Sequence, residues 1–146
     1  MTTPPTEEPF RVDQIDHVEL FVPDRREAAA WYQRVLGLNI IAGYEHWAAD
    51  PRGPLMISSD GGNTKLALFQ GMPQGSQETA GFHRVAFRVG AANFATFLDR
   101  LDALELVNDR GERVSAAMVK DHGAARSLYF NDPFGHRLEL TTYDPH

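Results

Sequence analysis

Hydrophobic and polar residues follow the same order in two stretches of the chain. The first stretch is "IDHVELFVPDRREAAAWYQRVLGL", and the second is "FHRVAFRVGAANFATFLDRLDAL". Each begins with alternation of period two, which indicates a strand that packs one face on a helix layer. Each then changes to apolar residues at helical spacing. The two stretches therefore predict a repeated strand–helix unit.

The helix of the first copy carries its own start and stop signals. Asp24 is an N-cap residue type, and Glu27 follows three residues later, which is the spacing of a capping box. Gly37 follows the last apolar residue and suits the left-handed conformation that ends many helices. The pattern predicts a helix between Asp24 and Gly37.

Further strand signals follow each helix. The first copy continues with "LNIIAGYEHW", "PLMISS" and "TKLALFQ", and "DGGN" reads as a hairpin turn. The second continues with "ELVND", "SAAMVKD" and "ARSLYFNDPFGHRLELTTYD", the last divided by the turn "NDPFG". The order βαβββ occurs twice. It predicts an α+β fold of two modules, with helices on one face of each curved sheet.

Composition limits the class of protein. The 146 residues suffice for one domain with a core, at 13–146, with modules at about 13–71 and 81–144. The Pro/Thr/Glu-rich residues 1–12 predict a flexible N-terminal arm. A net charge of −6 argues against nucleic acid or an anionic membrane as partner. The absence of cysteine excludes disulfides and thiolate metal sites. With no signal pattern or membrane-length apolar run, we expect a cytoplasmic location.

The first and last motifs resemble those of the vicinal oxygen chelate superfamily, which includes glyoxalase I, fosfomycin resistance enzymes, bleomycin resistance proteins and extradiol dioxygenases. The resemblance covers about Ile15 to Asp144, from "IDHVELFV" and "WYQRVLGL" to "YFNDPFGHRLEL". It implies curved mixed sheets around a cup-shaped site, in a protein that binds a small-molecule substrate and forms a homodimer.

The closing motif is most similar to that of the extradiol dioxygenases. Its positions are occupied by His122, Leu128, Tyr129, Asp132, Pro133, Gly135 and Glu139. One earlier position departs from the pattern, because Lys120 stands where the family prefers a small or aliphatic residue. The resemblance implies that His122 and Tyr129 are catalytic residues in the substrate pocket. It also implies that Glu139 binds a divalent metal, Fe or Mn.

The resemblance places the other metal ligands on the first strand of each module. The His–His–Glu set leaves coordination positions open for substrate or oxygen, and here it would be His17, His83 and Glu139. His17 precedes the apolar positions Val18 and Leu20, and Glu139 lies between Leu138 and Leu140. We expect both side chains to point away from the helices. Ala67 occupies a fourth position used by glyoxalases and cannot bind a metal.

Strand register makes the second histidine of this set doubtful. When the apolar faces of the two copies are aligned, His17 coincides with Arg84, and a shift of one residue reverses the face of a strand. A β-bulge near Gly81 would turn His83 inward. Otherwise Arg84 replaces the ligand, pairs with Glu139 or Glu19, and binds an anionic or carbonyl-bearing ligand.

Two readings of function follow from these alternatives. The first is an extradiol-dioxygenase-like enzyme with a single metal and a catechol-like substrate, whose pocket includes Arg84, Glu19 and Trp47. A metal held by His17, Glu19 and Glu139 is a variant of this reading, and thiol transfer or isomerisation is another metal-dependent reaction of the superfamily. The second is a metal-free small-molecule-binding or resistance protein in which Arg84 replaces a metal ligand.

Overall fold

The structure is a computed structural model that describes residues 9–145. Most of the predicted N-terminal arm, residues 1–8, lies outside the described residues, and residues 9–12 belong to no helix or strand. The chain divides into two compact units, Met1–Pro73 and Gln74–His146. We call them module 1 and module 2 and describe each by itself.

Module 1 has the element order that the sequence predicts. Its elements are β1 (His17–Phe21), α1 (Arg25–Leu36), β2 (Asn39–Ile40), a 3₁₀ helix (Ala42–Ala49), β3 (Leu55–Ser58) and β4 (Lys65–Phe69). The strands form one sheet in the order β1-β4-β3-β2. The β1–β4 pair is parallel and the other two pairs are antiparallel, so the sheet is mixed.

Module 2 repeats this topology. Its elements are β5 (Val85–Arg88), α2 (Ala91–Asp99), α3 (Leu101–Leu104), a 3₁₀ helix (Ala116–Met118), β6 (Lys120–Asp121), β7 (Arg126–Asn131) and β8 (Arg137–Thr142). The sheet order is β5-β8-β7-β6, with β5 and β8 parallel and the other pairs antiparallel. The predicted α+β fold with βαβββ modules and mixed sheets is confirmed.

Some predicted strands are wrong or shorter than expected. In "LNIIAGYEHW" only Asn39–Ile40 is strand, and the rest begins a 3₁₀ helix. Arg25 contacts the end of this helix and the loop after it, because its guanidinium donates hydrogen bonds to the carbonyl oxygens of Ala48, Asp50 and Gly53. Tertiary contacts of this kind can override local propensity.

The second module departs from the prediction in three places. "ELVND" contributes only isolated bridges through Val107, and "SAAMVKD" becomes a 3₁₀ turn followed by the two-residue β6. The first strand of this module begins at Val85, so His83 and Arg84 lie just before it.

The predicted ends of α1 are confirmed. The Asp24 carboxylate accepts hydrogen bonds from the backbone N–H groups of Arg26 and Glu27 at 2.9 and 3.1 Å. Gly37 ends the helix with φ 67°, in the left-handed region where a side chain would be strained. In α2 the cap comes from a distant residue, because Asp144 accepts a hydrogen bond from Ala91 N–H at 2.8 Å.

Each helix covers the apolar face of its own sheet. In module 1 the face includes Leu20, Leu66 and Leu68, all at most 5% exposed, and α1 contributes the buried Tyr32. In module 2 it includes Leu128, Phe130, Leu138 and Leu140. The Phe97 ring of α2 lies 5.6 Å from the Phe130 ring, measured between centroids. The polar side chains between these apolar positions therefore lie on the opposite face of each sheet.

The N-cap of α1 provides a test of this local structure. We expect Asp24→Ala to lower the free energy of unfolding by about 1 kcal/mol, because two N–H groups lose their acceptor. Urea unfolding followed by circular dichroism measures the change. Asp13→Ala, which removes an exposed carboxylate outside every helix and strand, is the control. Equal unfolding midpoints for the two variants would contradict the capping role.

Candidate functional site

Tyr129 and Glu139 of the closing motif lie side by side on module 2. They are register partners on β7 and β8, and Ala86 of β5 is the partner of Glu139 on its other side. All three therefore belong to one row across the sheet. Leu138 and Leu140 are buried on the helix side, so the row lies on the face away from the helices.

His122 joins this row through a hydrogen bond. Its Nε2 lies 2.9 Å from the Tyr129 hydroxyl oxygen. The backbone supports the placement, because His122 N–H donates to Ala125 O at 2.7 Å in the turn between β6 and β7. The three motif residues that sequence reasoning singled out are thus brought together by adjacent strands and one tight turn.

Arg84 lies over the same tyrosine. Its guanidinium carbon is 4.6 Å from the centre of the Tyr129 ring, which is a cation–π geometry. Arg84 stands two residues before Ala86, so strand alternation puts it on the face of Glu139. Its Nε atom is buried and has no hydrogen-bond partner among the described residues.

His83 contacts a different group. Nη1 of Arg137 lies 2.9 Å from Nδ1 and 3.0 Å from Nε2 of its imidazole ring. The guanidinium can only donate, so a ring nitrogen of His83 accepts. The His83 side chain is exposed, and a metal at this histidine would compete with an arginine already in place.

Arg137 belongs to a polar cluster that sequence reasoning missed. Its Nη2 is 2.8 Å from Oδ2 of Asp109, and Asn131 Nδ2 donates to Oδ1 of the same carboxylate at 2.9 Å. The Asn131 hydrogen bond, aided by Arg137 and by the charge of Arg84, lowers the pKa of Asp109. Strand alternation could have identified Arg137, which stands two residues before Glu139. Asp109 lies in a loop, where the sequence gives no such signal.

His17 of module 1 lies between two carboxylates. Nδ1 is 2.8 Å from Oδ2 of Asp16, and Nε2 is 3.0 Å from Oε2 of Glu19. Only the doubly protonated imidazolium donates to both, so the hydrogen bond to Asp16, followed by that to Glu19, raises the pKa of His17. Hydrogen bonds from His17 and Lys65 in turn lower the pKa of Asp16.

The strand register relates the two modules position by position. Glu19 is the partner of Ala67 on β4, as Ala86 is the partner of Glu139 on β8. His17 stands two residues before Glu19, and Arg84 stands two residues before Ala86. His17 and Arg84 are therefore equivalent positions. In each pair of register partners one residue is acidic and the other is alanine: Glu19 and Ala67 in module 1, Glu139 and Ala86 in module 2.

Trp47 is not on a strand, although the sequence predicted a strand in "LNIIAGYEHW". It lies on the 3₁₀ helix Ala42–Ala49 and stacks on Tyr44, with ring centres 4.5 Å apart and planes 6° from parallel. Both rings are partly exposed, and Trp47 is 42% exposed. The stack forms a small aromatic surface on module 1.

A cavity of about 370 Å³ opens at the opposite end of the module 2 sheet from the β7–β8 turn. Arg126, Tyr143 and Asp144 line it together with the loop at Gly123–Ala125. None of the residues predicted for the site lines this cavity.

No group of three or more histidine, aspartate and glutamate side chains among residues 9–145 is arranged to hold a metal ion. No helix in the same range is long and apolar enough to cross a membrane.

The fold and the closing motif together define a protein of the vicinal oxygen chelate class. The family model described as "Glyoxalase/Bleomycin resistance protein/Dioxygenase superfamily" matches residues 14–140. The chain belongs to this superfamily.

One curated relative is a dioxygenase by its name. The chain is 30% identical over 114 residues to biphenyl-2,3-diol 1,2-dioxygenase 3 of Rhodococcus globerulus. The match covers 75% of this chain and 53% of that protein. The chain thus spans about half the length of the relative it matches.

Solved structures with the same fold carry different names. Oxidase ChaP-H2 is 22% identical with a TM-score of 0.63, and the match covers 93% of this chain and 97% of that one. The fosfomycin resistance protein FosX of Listeria monocytogenes is 18% identical with a TM-score of 0.62, covering 90% and 94%. At these identities the likeness establishes the fold alone.

The two carboxylates around His17 predict its titration. We expect His17 to titrate above 6.5, the ordinary value from which its pKa is raised, and Asp16→Asn to lower that pKa because its largest cause is removed. The stabilisation that protonated His17 gives the folded state is complete below its unfolded pKa, and it is lost as the pH rises through the raised folded pKa. NMR titration of the imidazole Cε1–H measures it, with Asp13→Asn as control. A His17 pKa at or below 6.5 in the folded protein would contradict the arrangement.

Proposed function

We propose that the protein is an extradiol-dioxygenase-like enzyme that acts on a small, oxygen-chelating, catechol-like substrate. The observation that carries the proposal is the row formed by Glu139 and Tyr129, with the Tyr129 hydroxyl 2.9 Å from His122 Nε2. The three residues are those that the extradiol motif uses, and here they converge on one face of one sheet. The dioxygenase of Rhodococcus globerulus supports the same class.

The donor set that we propose for a divalent metal differs from the family's usual one. A His–His–Glu set does not fit, because Arg84 is the register equivalent of His17 and the His83 nitrogens lie against Arg137. His17 and Glu19 do fit, since their donor atoms are 3.0 Å apart and Asp16 holds the other ring nitrogen. Metal-binding histidines ordinarily have such a carboxylate partner.

We therefore propose His17 and Glu19 of module 1 as residues that would hold Fe or Mn, and Glu139 of module 2 stays a proposed ligand on the closing motif alone. Imidazole and carboxylate donors suit these metals. A metal bound there supplies the Lewis acidity and the oxygen chemistry of ring cleavage. Because both ring nitrogens of His17 face carboxylates, Nε2 has to lose its proton before it can act as a ligand.

The residues of module 2 account for the handling of protons. His122 Nε2 accepts a hydrogen bond from the Tyr129 hydroxyl or donates one to it, depending on the tautomer of the imidazole. In the proposed reaction His122 takes the proton from a substrate hydroxyl as a general base. Tyr129 positions the substrate oxygen, and Arg84 fixes the Tyr129 ring from one side.

The proton-handling pair yields the main test of the proposal. We expect His122→Gln to lower kcat for ring cleavage of 2,3-dihydroxybiphenyl about 10²- to 10⁴-fold, the usual contribution of a general base. Tyr129→Phe should lower kcat less, because this variant keeps His122, the proposed general base. Oxygen uptake with Fe²⁺- or Mn²⁺-loaded protein measures activity, and elemental analysis measures metal content.

Two exposed residues outside the pair provide matched controls. His46→Gln changes a histidine of the 3₁₀ helix in module 1, and Tyr143→Phe changes a tyrosine that is 56% exposed. Both should keep wild-type activity. Loss of bound metal in His122→Gln, or full activity in that variant, would count against the assigned role.

The second candidate is a metal-free small-molecule-binding or resistance protein, and the position of Arg84 favours it. A guanidinium fixed on Tyr129 occupies the place where the family has a second histidine ligand. Metal analysis separates the candidates. Stoichiometric Fe or Mn that is lost in His17→Ala supports the enzyme, and metal-free protein after loading with either metal supports the binding protein.

We also propose that residues 13–146 form one domain of two modules. We propose further that the protein is a homodimer and that it is located in the cytoplasm. Light scattering on a size-exclusion column tests the oligomeric state.

A further inference from the structure

We propose that the ligand of this protein carries a carboxylate group and that the Arg84 guanidinium binds it. The inference deepens the proposed function, on which its aromatic part rests. It names the substrate class as a carboxylated arene, such as a dihydroxybenzoate. The argument depends only on residues of module 2.

The first step is that Arg84 has no ion-pair partner among residues 9–145. The nearby carboxylate of Asp109 is taken by Arg137 at 2.8 Å and by Asn131 at 2.9 Å. The Nε atom of Arg84 is buried without a hydrogen-bond partner among residues 9–145. A buried polar group left unpaired costs about 1–3 kcal/mol, so stability alone does not account for this placement.

The second step is that the Arg84 side chain is held in place. Its guanidinium carbon lies 4.6 Å from the Tyr129 ring centre, and His122 holds the hydroxyl of that ring. A guanidinium fixed in this way has lost much of its rotamer freedom before a ligand arrives. Its planar fork can then bind a carboxylate through two parallel hydrogen bonds.

The third step compares Arg84 with the other arginines of the same sheet face. Arg137 shares its charge with Asp109 and its donors with His83. Arg88 is exposed and lies 5.1 Å over the Tyr143 ring. Arg84 alone of these three combines partial burial, a fixed ring beneath it and a position next to the row of Tyr129 and Glu139.

Glu139 defines the condition under which an anion binds. It lies on the same face as Arg84, in the next row of the sheet, and its negative charge repels a carboxylate. A divalent metal at Glu139 removes that repulsion. We therefore expect carboxylate binding to be strongest in metal-loaded protein.

The test compares a charged ligand with its neutral counterpart. Calorimetry gives the Kd values of 2,3-dihydroxybenzoate and 2,3-dihydroxybenzamide for the protein as purified and after loading with Mn²⁺. We expect the benzoate to bind at least about tenfold more tightly than the benzamide, most clearly in the Mn²⁺-loaded protein, as for a charge-assisted hydrogen bond. Arg84→Gln should abolish this preference, and Arg88→Gln, the matched control, should keep it.

A direct measurement covers the case in which Arg84→Gln does not fold. The Nε–H resonance of Arg84 in the wild-type NMR spectrum should shift on addition of the benzoate and stay in place with the benzamide. Equal Kd values for the two probes, no binding of either, or a preference that survives in Arg84→Gln would overturn the proposal. Carboxylate preference without any oxygen uptake would refute the dioxygenase function and leave this inference standing.

Discussion

The burial of Leu138 and Leu140 against α2 determines the chemistry of module 2. These two leucines are at most 3% exposed, and β8 runs between β5 and β7. Because side chains alternate along a strand, Glu139 must lie on the other face. Hydrogen-bonded register carries the same assignment to Tyr129 on one side and to Ala86 on the other. A slip of one residue would exchange the leucines with Glu139 and Arg137, so the core holds the polar face in register.

Features that depend on local pattern could be predicted from the sequence. The two βαβββ modules, the Asp24 cap and the face of Arg84 all follow from periodicity or from short-range turn chemistry. Features that depend on distant contacts could not. The 3₁₀ helix Ala42–Ala49 ends against Arg25 of α1, whose guanidinium donates to the carbonyl oxygens of Ala48 and Gly53. The contact of His83 with Arg137 depends on a residue 54 positions away.

The two modules share a backbone pattern and differ in the charge balance at equivalent positions. His17 has two carboxylates within 3.0 Å, at Asp16 and Glu19. Arg84, at the equivalent place, has a buried nitrogen without a hydrogen-bond partner among the described residues and an aromatic ring beneath it. The cationic form of His17 is therefore paired with carboxylates of its own module, whereas the described part of the chain supplies no ion-pair partner for Arg84.

This asymmetry bears on how a metal and an arginine can belong to one protein. A divalent cation held by Glu139 and the guanidinium of Arg84 would lie on one sheet face and repel each other. The repulsion becomes an attraction when an anion binds to both, because each positive charge then faces a negative one. An anionic oxygen ligand satisfies that condition, and a neutral ligand does not. On our proposal the charge of Arg84 thus selects among the small molecules that a vicinal oxygen chelate fold can accept, whether or not the bound molecule is then transformed.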